Sequence, residues 1–313
     1  MSFHPDRTPV LIMAAAVVVF GSLAWLSWET YVTQPTIQTA VDAPRQVKAG
    51  DPALLAVGDI ADCDVAADEA VAALLTATPG TIATLGDTVY NNGSEQEFLK
   101  CFDPAWGSLK NRIRPAVGNH EYSTGEAEPY FRYFGPAAGQ TGRGWYAYTL
   151  GTWQVIVLNS NCSEIGGCDL DSPQGTWLQE QLAAPTACSL VYYHHPRWSS
   201  GLHGSSSALK DFWNLFVEKK VDLVLSGHDH HYERFAPLGR EGQVNTVSGL
   251  RQFIVGTGGK SLYPVKTILN GSEIRQNSTF GALQLQLHQD GYSWRFLPVD
   301  DETFQDRGSQ RCH

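Results

Sequence analysis

Several short polar strings in this sequence carry side chains able to bind metal ions or to move protons. They are Gly58-Asp59, Gly86-Asp87-Thr88-Val89-Tyr90, Gly118-Asn119-His120-Glu121, His194-His195-Pro196 and Ser226-Gly227-His228-Asp229-His230-His231. Carboxylate, amide oxygen and imidazole are hard to borderline donors, and a set of them free of cysteine argues against a structural zinc cage and for a catalytic pair of ions. A bridging carboxylate is the simplest way to hold two cations roughly 3.5 to 4 Å apart. Each string alone is ordinary: an Asp after a strand is commonly the N-cap of the next helix, and Gly-Asn is a common turn. Seven of the ten histidines fall between His120 and His231, but clustering counts for less than where the strings stand in the chain's pattern.

That pattern is a short apolar run, then a polar cluster, then a helical stretch, which reads as α/β alternation without internal repeats. Ala53 to Val57 reads as a buried strand ending in Gly58-Asp59, followed by helical periodicity from Val65 to Leu75. Thr81 to Leu85 ends in Gly86-Asp87 and leads to a helical stretch from about Ser94 to Lys110. Arg114 to Val117 runs into Gly118-Asn119, Ser189 to Tyr193 into His194, and Val221 to Leu225 into the His-x-His string. Ligands of open α/β sheets bind beyond the carboxyl ends of the strands, so these strands would deliver Asp, Asp, Asn-His, His and His-x-His to one edge. Farther on, Phe280 to His288 and Tyr292 to Leu297 flank Gln289-Asp290-Gly291, the signature of a hairpin.

In their order, GD, GDTVY, GNHE, VYYH and GHDH resemble the dinuclear metallophosphoesterase signature, and the match runs from about Leu54 to Pro298. Tyr90 after GDTV, the string GHDHHYER, and GTGG at Gly256 to Gly259 resemble the purple acid phosphatases more than the other branches, and in particular their small, single-domain members. The resemblance implies an α/β fold, a four-layer α/β/β/α sandwich with two mixed sheets, with the C-terminal hairpin at the edge of the second sheet. It implies that Asp59, Asp87, Tyr90 and His230 hold one ion, ferric iron in the purple enzymes. Asp87, Asn119, His194 and His228 would hold the other, a divalent iron, zinc or manganese, so that Asp87 bridges. It further implies hydrolysis of phosphate monoesters by metal-activated hydroxide, with His120 and His203 stabilising the transition state and protonating the leaving group. A phosphodiesterase, or a phospholipid or nucleotide hydrolase, would use the same ions with a wider pocket, and a noncatalytic membrane-tethered binding module would use the fold without the chemistry. His195 and His231 are expected beside the ligands as supports; Arg132, Arg143 and Arg197 are given no site role. The aromatic-rich loop from Ser123 to Gly144 is expected to wall the substrate pocket.

Composition bounds the rest. A net charge of −10 with no basic stripe disfavours nucleic acid as a partner, leaving a small phosphate ester as the expected one and the oligomeric state open. The segment Val10 to Trp28 carries no charge and is about long enough to cross a bilayer as a helix, with Arg7 on its N-terminal flank. It predicts export, as a signal-anchor that stays in the membrane or a signal that is cleaved, placing the globule outside the cytoplasm. The expected organisation is an N-terminal hydrophobic helix within residues 1–29, a polar linker at 30–52, one catalytic domain at 53–300 and a C-terminal tail at 301–313. Six cysteines without a C-x-x-C pair point to disulfides in an exported chain. Of the 15 connectivities six thiols allow, only Cys162 with Cys168, bracketing a short Gly-containing loop, is singled out.

Overall fold

The computed structural model describes residue 1 and residues 50–184, 186–299 and 303–313 of the chain. The apolar segment Val10–Trp28 lies outside these residues; among the described ones no helix is long and apolar enough to cross a membrane. In chain order the strands are β1 (Ala53–Val57), β2 (Ala61–Asp62), β3 (Thr81–Leu85), β4 (Val89–Tyr90), β5 (Ile113–Ala116), β6 (Tyr146–Leu150), β7 (Trp153–Val157) and β8 (Cys188–Tyr192). They continue as β9 (Leu223–Ser226), β10 (Tyr232–Phe235), β11 (Arg251–Val255), β12 (Ser272–Gln276), β13 (Gly281–His288), β14 (Gly291–Pro298) and β15 (Arg307–Arg311). One mixed sheet has the order β15-β14-β13-β1-β3-β5 and the other β12-β10-β11-β9-β8-β7-β6, while β2 and β4 pair with each other. Strands β1, β3 and β5 run parallel in the first sheet, as do β7, β8, β9 and β11 in the second.

The apolar runs that mark these strands arise because both faces of each are covered. Leu54 and Ala56 of β1 enter the core between the two sheets, whereas Leu55 and Val57 enter a core shared with helix Ala67–Ala77. In the second sheet Leu190 and Tyr192 face the first, while Val191 and Tyr193 face helices Pro173–Gln181 and Lys210–Glu218 through Leu178, Phe212 and Phe216. Period-two alternation thus splits each strand between an inner and an outer core, which makes the order of layers α/β/β/α, as expected.

Three expectations are corrected. The stretch from Ser94 to Lys110 is not one helix. It comprises Glu95–Glu97, capped by Ser94 with Glu97 accepting the Ser94 N–H at 2.8 Å, a wider π turn at Phe98–Phe102, Asp103–Trp106, and a tight run Gly107–Arg112. Pro104 has no N–H to donate back along the helix, and the ladder opens there. The C-terminal hairpin belongs to the first sheet and not to the edge of the second: β13 pairs antiparallel with β1, and β14 is covered by β15. Within the expected C-terminal tail, Arg307–Arg311 form a strand of this sheet. Strand β15 lacks an apolar run because polar bonds hold this end of the chain: Asp306, just before it, accepts from the Tyr232 hydroxyl at 2.7 Å, from Arg234 Nε at 2.8 Å and from the Trp294 indole at 3.2 Å. Disulfides join Cys63 to Cys101, Cys162 to Cys168, and Cys188 to Cys312, the last fastening the end of the chain to β8 across the sandwich.

Candidate metal centre

The parallel strands of both sheets deliver their carboxyl ends to one place. Asp59 follows β1, Asp87 follows β3 and Asn119 follows β5 from the first sheet, while His194 follows β8 and His228 and His230 follow β9 from the second. The expected edge is thus a seam between two sheets. The turns are tight: Asp59, Asp87 and His228 have φ of 61°, 47° and 70°, the left-handed region that costs a side chain with a Cβ of the order of 1–2 kcal/mol. Glycines let the turns approach one another. A Cβ on Gly86 would meet the His194 ring at 2.5 Å, and one on Gly118 would meet Asp87 at 2.1 Å.

Two groups of donor atoms share Asp87. In the first, the Tyr90 hydroxyl oxygen lies 2.9 Å from Asp59 Oδ1, 3.0 Å from Asp87 Oδ2 and 3.1 Å from His230 Nε2. In the second, His194 Nε2 lies 3.0 Å from Asn119 Oδ1, 3.2 Å from Asp87 Oδ2 and 3.2 Å from His228 Nδ1. Donors about 3 Å apart are spaced as they would be around one ion with bonds of roughly 2.0–2.2 Å. The ring protons are already engaged elsewhere: His194 Nδ1–H donates to the Leu85 carbonyl at 2.8 Å and His230 Nδ1–H to that of Ser261 at 2.7 Å. In the neutral rings this turns the lone pairs of both Nε2 atoms toward carboxylate, amide and phenol oxygens. Acceptors facing acceptors in a buried site require a proton or a cation between them.

The electrostatics agree. Burial opposes charge on His194, yet Asp87 and Asp59 push the ring up to about 9, so the spot draws positive charge strongly. Burial also opposes charge on Asp87, but His194 and His120 hold its carboxyl well below the usual range. Burial together with the Asp59 and Asp87 carboxylates drives the Tyr90 phenol well above its ordinary value, so a phenolate there needs a cation. The donor set fits two ions: Asp59, Asp87, Tyr90 and His230 could hold one, and Asp87, Asn119, His194 and His228 the other.

The two candidate proton carriers differ in their surroundings. His120 is 33% exposed, packs 4.4 Å from the Tyr90 ring, donates from Nδ1 to the Asn91 carbonyl at 2.6 Å and turns Nε2 to within 3.8 Å of Asp87. His203 is exposed on its loop, with its ring 4.6 Å from that of His228. The His195 ring lies 4.4 Å from that of His228, tilted to it, and burial beside His194 holds it down at about 3, a neutral support. His231 meets buried Glu233 at 3.1 Å. Arg132 pairs with Glu95 and Glu128 at the surface, and Arg197 stacks on Trp198. The aromatic residues of the Ser123–Gly144 loop do not form the expected wall. Tyr130, Phe131 and Phe134 are buried in the core under the first sheet, because rings of that size gain more there than at a wet rim.

Other residues of the site escape a reading by motif. Glu121, fully buried, accepts the N–H groups of Thr88 at 2.6 Å, Gly118 at 2.7 Å, Asp87 at 3.2 Å and Val89 at 3.4 Å, locking the two ligand turns together. Its place in the GNHE string was the available signal. Tyr263 stacks on His230 at 4.0 Å, and Lys260, paired with Asp62, sits 4.8 Å over the Tyr90 ring. The GTGG string at Gly256 to Gly259, just before Lys260 and Tyr263, was the nearest signal, but it names neither side chain.

A calcineurin-like phosphoesterase family model matches residues 52–232. The uncharacterized protein Rv2577 of Mycobacterium tuberculosis is 30% identical over 285 residues, covering 73% of this chain and 54% of that protein. The Fe(3+)-Zn(2+) purple acid phosphatase 12 of Arabidopsis thaliana is 31% identical over 154 residues, 41% of this chain and 32% of its own. The structure of purple acid phosphatase PPD1 from yellow lupin superposes with a TM-score of 0.71 at 18% identity, over 87% of this chain and 55% of that one, which shows a common fold. The chain spans about half the length of the first of these relatives or less. With the family model covering more than half of its residues, the chain belongs to the calcineurin-like phosphoesterase family.

Proposed function

We propose that the protein hydrolyses phosphate monoesters at a dinuclear centre, with Asp59, Asp87, Tyr90 and His230 on a ferric ion and Asp87, Asn119, His194 and His228 on a divalent iron, zinc or manganese. The observation that carries this reading is the convergence of acceptor atoms around Asp87, with the Nδ1 protons of His194 and His230 engaged by the Leu85 and Ser261 carbonyls. A phenol between two carboxylates, at 2.9 and 3.0 Å, supports a hard trivalent ion in the first group. When bound, such ions supply Lewis acidity to phosphate oxygens and lower the pKa of water at the centre.

The chain's own residues do the rest. Asp87 and Asn119, held by the Glu121 clamp, fix the floor on which the phosphoryl group sits. His120 keeps Nδ1–H on the Asn91 carbonyl and turns Nε2 toward the side of Asp87 where the phosphoryl oxygens sit. His203 protonates the departing oxygen from the other side of His228. Lys260, 4.8 Å over the Tyr90 ring, offers a cation beside the centre, which favours an anionic ester. The disulfides belong to an oxidising compartment and support export. A reporter fused after Gly50 should then lie outside the cytoplasm; a mature N-terminus at Met1 would support the anchor, and one between Thr30 and Gly50 a cleaved signal. The activity is tested with a panel of aryl phosphates, alkyl phosphates and phosphodiesters. Faster turnover of diesters than of monoesters of the same alcohol would overturn the monoesterase reading.

A further inference from the structure

Between two of the ligand histidines stands Asp229, which takes no part in the donor groups and yet is fully buried. Its Oδ1 accepts the His203 N–H at 2.8 Å, its Oδ2 accepts the Ser199 hydroxyl, and Ser199 Oγ in turn accepts the Gly201 N–H at 3.0 Å. Gly201 lies against the carboxylate so closely that a Cβ there would meet it at 2.4 to 2.7 Å. A second line of bonds secures the same loop: Ser200 donates its N–H to Glu233 at 3.0 Å and accepts the Leu269 N–H at 3.0 Å through Oγ. His203 itself is exposed, its ring 4.6 Å from His228 and 5.6 Å from Tyr263. An exposed imidazole on a loop has many orientations and positions open to it, and the bond that reaches the His203 backbone itself comes from a buried carboxylate rooted between His228 and His230.

We propose that Asp229 is the positioning residue of His203: its carboxylate ties the loop 199–203 to the strand end that carries His228 and His230, and so sets where the proton donor stands over the centre. Two loop donors share this one fully buried carboxylate, and a misplacement of about 1 Å costs a reacting group of the order of 10²-fold in rate. The proposal rests on the reading of His203 as the group that protonates the leaving oxygen. It differs from a role in ion binding, which would be felt equally by all substrates.

The test compares parent, Asp229→Ala, Asp229→Asn, Ser199→Ala and His203→Ala as full-length, metal-loaded proteins. Metal content, rates on p-nitrophenyl phosphate and on an alkyl phosphate, and amide hydrogen exchange of residues 199–204 in the metal-free form are measured for each. Asp229→Ala should keep both ions, slow the alkyl ester by about 10²-fold and the aryl ester by less than about 5-fold, and expose the His203 amide to fast exchange. Asp229→Asn, which can still accept the His203 N–H, should recover most of the alkyl rate. Ser199→Ala, which removes one bond only, should fall between it and Asp229→Ala. The double variant Asp229→Ala/His203→Ala should be no slower than His203→Ala alone. Loss of an ion in Asp229→Ala, equal slowing of both esters, or an unchanged exchange rate at His203 would each overturn the proposal. If His203→Ala leaves the alkyl ester unaffected, the proton-donor reading fails and the proposal with it, whereas the exchange data would still report whether Asp229 holds the loop.

Discussion

Glu121→Gln perturbs the centre without touching a donor atom. The carboxylate accepts Thr88 N–H on Oε1 at 2.6 Å and Gly118 N–H on Oε2 at 2.7 Å, with Asp87 N–H at 3.2 Å on the latter oxygen. An amide in its place presents one oxygen and one NH2, so in either orientation a short bond is replaced by two donors facing each other. Leaving a buried donor unpaired costs about 1–3 kcal/mol, and here both the backbone N–H and the amide NH2 are stranded, giving about 2–6 kcal/mol. For a domain of this size each kcal/mol lowers Tm by roughly 2–4 °C, so a fall of at least about 4 °C is expected. Burial and the Asp87 carboxylate push Glu121 up to about 7, so the comparison belongs at pH 8, where the parent carries the ionised clamp, and in chelator, where the ions do not contribute. The assay is thermal unfolding followed by circular dichroism, then metal titration of the refolded variant, which should bind the ions more weakly because the Asp87 turn has lost its anchor. A Tm within 1 °C of the parent would refute the claim that this carboxylate holds the ligand turns together.

Asp87→Asn weakens the carboxylate proposed to bridge the two ions, and metal analysis should find less than one tightly held ion per chain with hydrolysis abolished; two retained ions and near-normal activity would remove Asp87 from the site. His203→Ala should slow alkyl phosphates by about 10²-fold or more and nitrophenyl phosphate little, whereas His120→Ala should slow both, as steady-state rates on the two substrates will show. Asp306→Ala removes one of the two carboxylates paired with buried Arg234, leaving Glu273, and strands the Tyr232 hydroxyl and Trp294 indole; each buried donor left unpaired costs about 1–3 kcal/mol, read as a lower denaturation midpoint if β15 is part of the sheet and as no change if the end of the chain is a loose tail.

The strands and the donor residues were legible for one physical reason. Strands such as β1, β3 and β8 are covered on both faces, so they read as apolar runs, and the polar residue that ends each run is the one the turn thrusts into the seam. Cys162–Cys168 was legible because six residues of sequence separation already bring its ends together. Cys63–Cys101 and Cys188–Cys312 depend on how layers stack, which no local pattern carries. β15 was missed because its end of the chain is held by the Asp306 carboxylate and the Cys312 disulfide and not by an apolar stripe. The aromatic loop from Ser123 to Gly144 was misread because rings near a site resemble rings in a core until burial is seen; Tyr130 donates its hydroxyl to the Pro115 carbonyl at 3.0 Å, inside the molecule. Glu121 and Asp229 stood within the motifs, but their partners lie 32 to 34 residues away for Glu121's bonds to the Asp87 turn and 26 residues away for the bond to His203, and only the fold brings them together.

The central claim is a ferric ion and a divalent ion sharing Asp87, the ferric one bound by the Tyr90 phenolate. Metal content and the visible absorption spectrum of the purified globule, taken together on parent and Tyr90→Phe, test it most directly. The account predicts two ions per chain, one of them iron, with a visible phenolate-to-iron band in the parent that disappears in Tyr90→Phe while the ring still packs. A parent that binds one ion or none, or a visible band that survives in Tyr90→Phe, would contradict it.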